Sequence, residues 1–369
     1  MTSPPASPQA SHPAPLGQLL QEARIVVCCG SGGVGKTTVA AALGVRAATL
    51  GRRVCVVTID PARRLADALG LDREANDPVP VAGEWPGSLA GVVLDPKRTF
   101  DDLVRAHAPS GERAEQILAN RIYRNLTSAL SGTQEYMAME KLHQLTTSGQ
   151  FDLVVVDTPP TRNAIDFLDA PRRLTRFLSH RLFQLLLMPT RAYLRAVSLA
   201  SQALLRTIAK VAGAEVVDDA VAFFQAFEGM EEGFRRRAEE TAQALADPST
   251  AFVLVSAPRA EAVAEARWFA ERLAELRYRV AALVVNRMVP AFPCPDPGPA
   301  PADSALADLV ANWRRLAEQR ARQEAVAEAL ARHVGTAVLL QLPLLPDDVH
   351  DLAGLAQVAG ALEPDPGAR

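Results

Sequence analysis

Several things are scarce in this chain, and each scarcity removes a class of function. Aromatic residues make up 5% of the 369 residues, too few for the ring platforms that hold single-stranded nucleic acid. The formal net charge is only −3, so no global positive field recruits nucleic acid, and no such partner is expected. The four cysteines, Cys28, Cys29, Cys55 and Cys294, include no C-x-x-C pair, and neither a zinc site nor a disulfide framework is visible. Three of them fall in strand-like apolar runs, where a thiol behaves as a small core hydrophobe in a reducing compartment. No uncharged apolar run approaches the roughly 20 residues of a membrane-spanning helix. Met1 to Pro15 is rich in Pro, Ala and Ser. It lacks the basic start and apolar core of a signal peptide and reads as a disordered tail. The expected location is cytoplasmic, at most peripheral to a membrane.

What is present is a strong strand–loop–helix signature. The apolar run Ile25-Val26-Val27-Cys28-Cys29 leads into Gly30-Ser31-Gly32-Gly33-Val34-Gly35-Lys36-Thr37-Thr38, and an alanine-rich helical pattern follows from Val39 to Leu50. That context is what a G-x-x-x-x-G-K-[ST] phosphate loop requires. The glycines let backbone N–H groups wrap an anion, and the loop delivers it to the positive end of a helix. Lys36 would reach the outer phosphates, and the Thr37 hydroxyl would hold Mg²⁺.

Two further apolar strands end on a carboxylate. Arg53–Thr58 runs through Ile59 to Asp60-Pro61, and Phe151-Asp152-Leu153-Val154-Val155-Val156 runs to Asp157-Thr158-Pro159-Pro160-Thr161. In open parallel sheets ligands bind at this carboxyl end of the strands, so Asp60 and Asp157 would project toward the phosphate loop. Asp157 suits the role of holding Mg²⁺ through water. Gly91–Leu94 repeats the strand pattern before Asp95-Pro96, and further strands are expected at 251–256, 280–287 and 337–343. Helices are expected at 62–70, over most of 98–149, and at 260–277, 304–334 and 349–361. Pro290 to Pro301 reads as a proline-rich loop. No internal repeat is present.

Residues 164–247 read as helical and carry an unusual charge pattern. Ala170 to Ala214 contains no Asp or Glu, yet it holds Arg172, Arg173, Arg176, Arg181, Arg191, Arg195, Arg206 and Lys210. From residue 191 an apolar stripe (Tyr193, Val197, Ala200, Leu204, Ile208, Val211) opposes a basic one. Two readings stand: a solvated face of a helix packed on the sheet domain, or a surface that meets a partner helix or an anionic membrane.

Taken together, Gly30–Thr38, Thr58-Ile59-Asp60-Pro61-Ala62 and Asp157–Thr161 resemble the ArsA-type ATPases. This deviant Walker A group includes the arsenite-pump ATPase and the targeting ATPase for tail-anchored membrane proteins. The resemblance runs from about residue 20 to 361. Gly132–Tyr136 and Asp166–Pro171 are most similar to an actinobacterial branch in which two ArsA-like paralogues are commonly paired. The resemblance implies an α/β fold with a mostly parallel P-loop NTPase sheet flanked by helices. It implies an ATPase core over 20–163 and 248–362, between tails at 1–19 and 363–369, with a helical client or partner subdomain at 164–247. It also implies ATP/ADP and Mg²⁺ as ligands, Asp60 and Lys36 as catalytic groups, and Asn286 and Pro343 at the adenine.

Three departures qualify the resemblance. The family's lysine after the first glycine, which reaches across a dimer to the partner's phosphates, is Ser31 here. The C-x-x-C of some family dimer interfaces is absent, as is a cysteine triad suited to arsenite. The expected protein is therefore an ATP-binding and hydrolysing switch, slow alone. It would be a homo- or heterodimer, paired by preference with a lysine-bearing paralogue. The rival readings are a nucleotide-gated binding subunit with negligible turnover and an anion efflux ATPase.

Overall fold

Continuous β-branched runs with no polar alternation belong to strands covered on both faces, and that is how they are used. The structure, a computed structural model, describes residues 15–59, 64–71, 76–121, 123, 133–178, 230–292, 305–336 and 338–362. Strand β1 (Ile25–Gly30) and strand β5 (Leu153–Asp157) are buried at every position. With β2 (Arg53–Thr58), β3 (Val79–Pro80), β4 (Ser88–Val93), β6 (Thr250–Ser256), β7 (Val280–Met288) and β8 (Val338–Pro343), they form one eight-stranded sheet in the order β3-β4-β2-β5-β1-β6-β7-β8. Every pairing is parallel except β3 with β4. β3 is a two-residue edge piece ending in Pro80, at the kind of edge position where proline's missing N–H costs no ladder bond.

Successive residues of each strand feed opposite cores, as the two-residue period demands. Val26, Cys28, Val54, Val56 and Val155 pack toward α1 (Pro15–Glu22), α2 (Lys36–Thr49), α3 (Arg64–Leu69) and α11 (Leu352–Ala361). Ile25, Val27, Cys29, Cys55, Val57 and Val156 pack toward α6 (Thr133–Thr147), α7 (Thr161–Leu178), α9 (Ala260–Glu275) and α10 (Ala305–Val334). A third cluster joins α4 (Pro96–His107), α5 (Gly111–Ala119), α6 and α8 (Glu231–Ala246) through Phe100, Leu103, Ile117, Met137 and Phe234. Inside it, Arg237 Nε meets Glu140 Oε1 at 2.8 Å, with both side chains nearly inaccessible, and the Tyr136 hydroxyl also donates to Glu140. A carboxylate this deep persists only when ionic and hydrogen-bond partners surround it. α4 starts as its sequence implies: Asp95 accepts from Arg98 N, and Pro96 occupies the first helical turn.

The expected α/β architecture with a mostly parallel sheet is thus observed. Two details differ from the sequence expectations. Residues 15–19, expected within the tail at 1–19, belong to the helix Pro15–Glu22, which buries Leu16 and Leu20 completely or nearly so. Composition pointed to disorder, but leucines at i and i+4 give one face an apolar anchor. The first residues of the expected helical subdomain also lie on the sheet. α7 begins at Thr161, and Ala164, Phe167 and Leu168 are buried in the second core.

The amphipathic stretch at 191–211, the apolar run at 182–188, Asp60, Cys294, most of the proline-rich loop and the tail at 363–369 lie outside the described residues. No helix among the described residues is long and apolar enough to cross a membrane.

Arg52 fastens α1 to the sheet. Its guanidinium donates to the carbonyls of Leu20, Ala23 and Asp152, linking the end of α1 to the entry of β5. Burial lowers the Arg52 pKa and the nearby Asp152 charge raises it. Arg52→Ala leaves those carbonyls without their donor and is expected to destabilise the fold by about 2 kcal/mol in urea unfolding. A loss below about 0.5 kcal/mol, the range of ordinary surface substitutions, would contradict this fastening.

Candidate nucleotide and metal site

The loop leaves β1 through a backbone that only glycine tolerates. Gly30 has φ +152°, and a Cβ there would lie 2.1 Å from the carbonyl oxygen of Val255 in β6. At the far end Gly35 has φ +94°, and a Cβ there would come within 2.4 Å of Asn286 Nδ2. Gly35 is also the N-cap of α2 and offers no side chain to the helix end, while the first turn of α2 contains no acidic residue. The positive end of α2 is therefore kept for an anion from outside the helix. Lys36 is 6% exposed and folds its Nζ back to donate to the Ser31 carbonyl at 2.8 Å.

Asp157 is fully buried at the end of β5, in register with Cys28 of β1 and Thr58 of β2. Its Oδ2 accepts two hydroxyl bonds, from Thr37 Oγ1 at 2.9 Å and Thr58 Oγ1 at 2.9 Å. Such bonds to an ionised acceptor in a dry site are among the stronger hydrogen bonds a protein makes. The next residue contributes too, because the Thr158 hydroxyl donates to the Cys28 carbonyl at 2.7 Å. Burial drives the Cys28 thiol well above its ordinary pKa, and the Asp157 charge adds to the shift. Cys55 is pushed up to about 12 by burial. These thiols are core residues and not soft metal ligands.

The hydroxyl of Thr37 and the carboxylate of Asp157 meet beside the phosphate loop. Hard oxygen donors of this kind fit a magnesium ion, which takes few protein ligands and completes its shell with water and phosphate. Asp60, expected at the next strand end, lies outside the described residues. Its neighbour Ile59 is held at both backbone groups: its N–H donates to the Asp157 carbonyl at 3.1 Å, and its carbonyl accepts from Gln134 Nε2 at 3.2 Å.

A cavity of about 710 Å³ opens over the loop, lined by Gly32, Gly33, Gly35, Lys36, Thr37 and Thr38 on one side and by Asn286, Arg287, Leu342, Pro343 and Leu344 on the other. Asp347 and Asp348 also face it. Asn286 bridges the two sides: its Nδ2 donates to the Val34 carbonyl at 2.9 Å, and its Oδ1 accepts from Arg287 N at 2.8 Å. An asparagine amide can make four hydrogen bonds, so these two leave one hydrogen and one lone pair for a ligand. Ser31 is 5% exposed, with its Oγ buried and without a hydrogen-bond partner. It belongs to the interior of the loop and not to an outward face.

The structure therefore brings Gly30, Ser31, Gly32, Gly33, Val34, Gly35, Lys36, Thr37, Thr38, Asp157, Asn286 and Pro343 to one locality. The profile of the anion-transporting ATPase family matches residues 23–363. The chain belongs to that family. Among curated proteins it is similar to ATPase GET3 of Malassezia globosa, 29% identical over 177 residues, 46% of this chain and 50% of that protein. It is similar to ATPase GET3 of Rhodotorula glutinis, 31% identical over 151 residues, 40% of this chain and 41% of that protein. It is also similar to ATPase get3 of Schizosaccharomyces japonicus, 28% identical over 177 residues, 45% of this chain and 50% of that protein. The chain spans about half the length, or less, of the curated relatives it matches.

Sequence reasoning missed Thr58, Gln134 and Arg287. The signal for Thr58 was available, since it is the one hydroxyl ending the apolar run Val54–Val57, one turn of the pleat before Asp60. Within this family site, the Ser31 hydroxyl gains nothing from its surroundings in the free protein. Ser31→Ala is expected to leave the melting temperature unchanged or slightly raised, because it removes a buried polar atom with no partner. A loss of more than about 1 kcal/mol in unfolding free energy, the net worth of a typical hydrogen bond, would show that the hydroxyl is engaged.

Proposed function

We propose that the chain binds ATP with Mg²⁺ at this site and hydrolyses it slowly, as a switch that couples nucleotide state to a helical partner. The observation that carries the reading is the meeting of Thr37 and Asp157 at 2.9 Å beside a glycine loop and an uncapped helix end. In this reading the amides of Gly30 to Thr38 and the Lys36 ammonium hold the phosphates. The Thr37 hydroxyl and Asp157, the latter through water, hold Mg²⁺, which neutralises charge on the phosphates when bound. Asn286 and Pro343 border the adenine. Asp60 orients the attacking water, and its neighbour Ile59 is held by two backbone bonds. Phosphoryl transfer needs chiefly positioning and charge stabilisation, and these residues supply both.

The core at 20–163 and 248–362 would carry the chemistry, and the helical part at 164–247 would meet the client. α7 and α8, which enter and leave that part, pack on each other and on α6. A change at the Asp157 loop would therefore reach α7, one of the two helices that flank the segment proposed to meet the client. The client would be a helix or an anionic membrane surface, as the basic residues of 170–214 favour.

Ser31 favours pairing. It carries no charge where the resembled family carries a lysine, and its side chain is buried in its own loop. A dimer with a lysine-bearing paralogue would let that lysine complete this subunit's site. A homodimer would lack the charge in both sites and would hydrolyse slowly or serve as a nucleotide-gated binder.

Steady-state ATP turnover by the purified chain, alone and with the paralogue, tests the reading. Expected are slow turnover alone, a rise with the paralogue, and a loss of about 100-fold or more in Asp60→Asn with ATP binding retained. Equal turnover in wild type and Asp60→Asn would overturn the hydrolytic role. Brisk turnover by a strict homodimer, unchanged by the paralogue, would overturn the pairing.

A further inference from the structure

Strand β7 does not run regularly to its end. Val285 pairs with Gln341 and Met288 with Pro343, so Asn286 and Arg287 together stand opposite the single residue Leu342. This is a β-bulge, a feature that re-aims a side chain and recurs beside functional sites. Arg287 has φ +62°, a left-handed position that glycine fills without strain and a side chain does not. Among the described residues Arg277 is the only other non-glycine residue with positive φ. Arg277 sits just past the end of α9, where a left-handed residue commonly closes a helix. Arg287 closes no helix: its left-handed backbone belongs to the bulge, where glycine would be the unstrained choice, and an arginine kept there points to function.

The bulge carries Arg287 onto the cavity wall beside Asn286, Pro343 and Leu344. It is anchored to the phosphate loop by the Asn286 bond to Val34, and to β8 by the Leu344 N–H on the Met288 carbonyl at 2.7 Å. Among the described residues no carboxylate lies within ion-pair distance of the Arg287 guanidinium, although Asp347 and Asp348 line the same cavity. Leu342, Leu344 and Leu345 make that wall apolar. An unpaired guanidinium is flat and weakly hydrated, and it stacks on aromatic faces. An exposed, flat cation on the rim of a cavity that also has leucine walls and a phosphate cradle suits a heteroaromatic base.

We propose that Arg287 holds the base of the bound nucleotide, with its guanidinium stacked on the purine whose phosphates sit in Gly30–Thr38. This rests on the reading of that loop as a nucleotide site. Calorimetric titration of the full chain with ATP and with inorganic tripolyphosphate separates the two, using wild type, Arg287→Gly and Arg287→Lys. Glycine accepts the left-handed backbone, so the Arg287→Gly melting temperature stays level or rises. ATP is expected to bind this variant about tenfold more weakly. Arg287→Lys shares most of that loss, since an ammonium has no plane to stack, while tripolyphosphate binding stays within about twofold in both variants. Unchanged ATP affinity in Arg287→Gly overturns the proposal. An equal loss on tripolyphosphate, or full rescue by lysine, also overturns it, because either makes Arg287 a phosphate contact. If the wild-type chain binds neither ligand, the nucleotide reading falls and takes this assignment with it.

Discussion

One carboxylate oxygen joins the parts on which the site depends. Asp157 Oδ2 ends β5, and it accepts the hydroxyls of Thr58 on β2 and Thr37 on α2. The glycines of the loop have conformational freedom but little to hold them, and a lone loop of this composition would sample many shapes. The Thr37 bond to Asp157 restrains that freedom at the base of α2, and the Thr58 bond ties the same carboxylate to β2. The loop is thus positioned by the sheet, and the sheet by burial on both faces. In the proposed reading the same carboxylate faces the metal through water, which would couple binding to loop geometry.

The opposite wall of the cavity is set independently. There the bulge at Asn286 and Arg287 turns the end of β7 toward the loop, and the Asn286 amide closes the gap to Val34. The phosphate end of the site is built by β1, β2 and β5, and the far end by β7 and β8. Only β6 separates these two groups of strands in one sheet, so a ligand that touches both ends is gripped by elements with a common rigid base. That arrangement follows from parallel topology, which gathers the carboxyl ends of all these strands on one edge.

Much of this was legible in the sequence, and for a physical reason. Strands covered on both faces must be apolar without interruption, so Ile25–Cys29, Val54–Val57 and Leu153–Val156 declare themselves, and the carboxylate that ends Leu153–Val156 stands out. The phosphate loop is legible because its chemistry needs glycine and lysine at fixed spacing. What was not legible depends on tertiary contact. α1 forms just after a Pro- and Ala-rich stretch because Leu16 and Leu20 find a core to enter, which composition cannot show. Arg287 looks like any exposed arginine after a strand, since a left-handed backbone at a non-glycine residue leaves no mark in the sequence. The burial of Ser31 is likewise a property of the folded loop. The family resemblance implies a lysine where Ser31 stands, whereas the fold shows that its side chain turns inward.

The role of Asp157 is tested most directly by measuring ATP affinity of the full chain with and without Mg²⁺, in wild type and in Asp157→Asn. The carboxamide keeps the size of the side chain and can still accept from a threonine hydroxyl, but it carries no charge for a metal. Expected is an affinity in wild type that Mg²⁺ strengthens by about tenfold or more, and an Asp157→Asn affinity that Mg²⁺ leaves unchanged. A Mg²⁺ enhancement of the same size in Asp157→Asn would contradict the placement of the metal at Thr37 and Asp157.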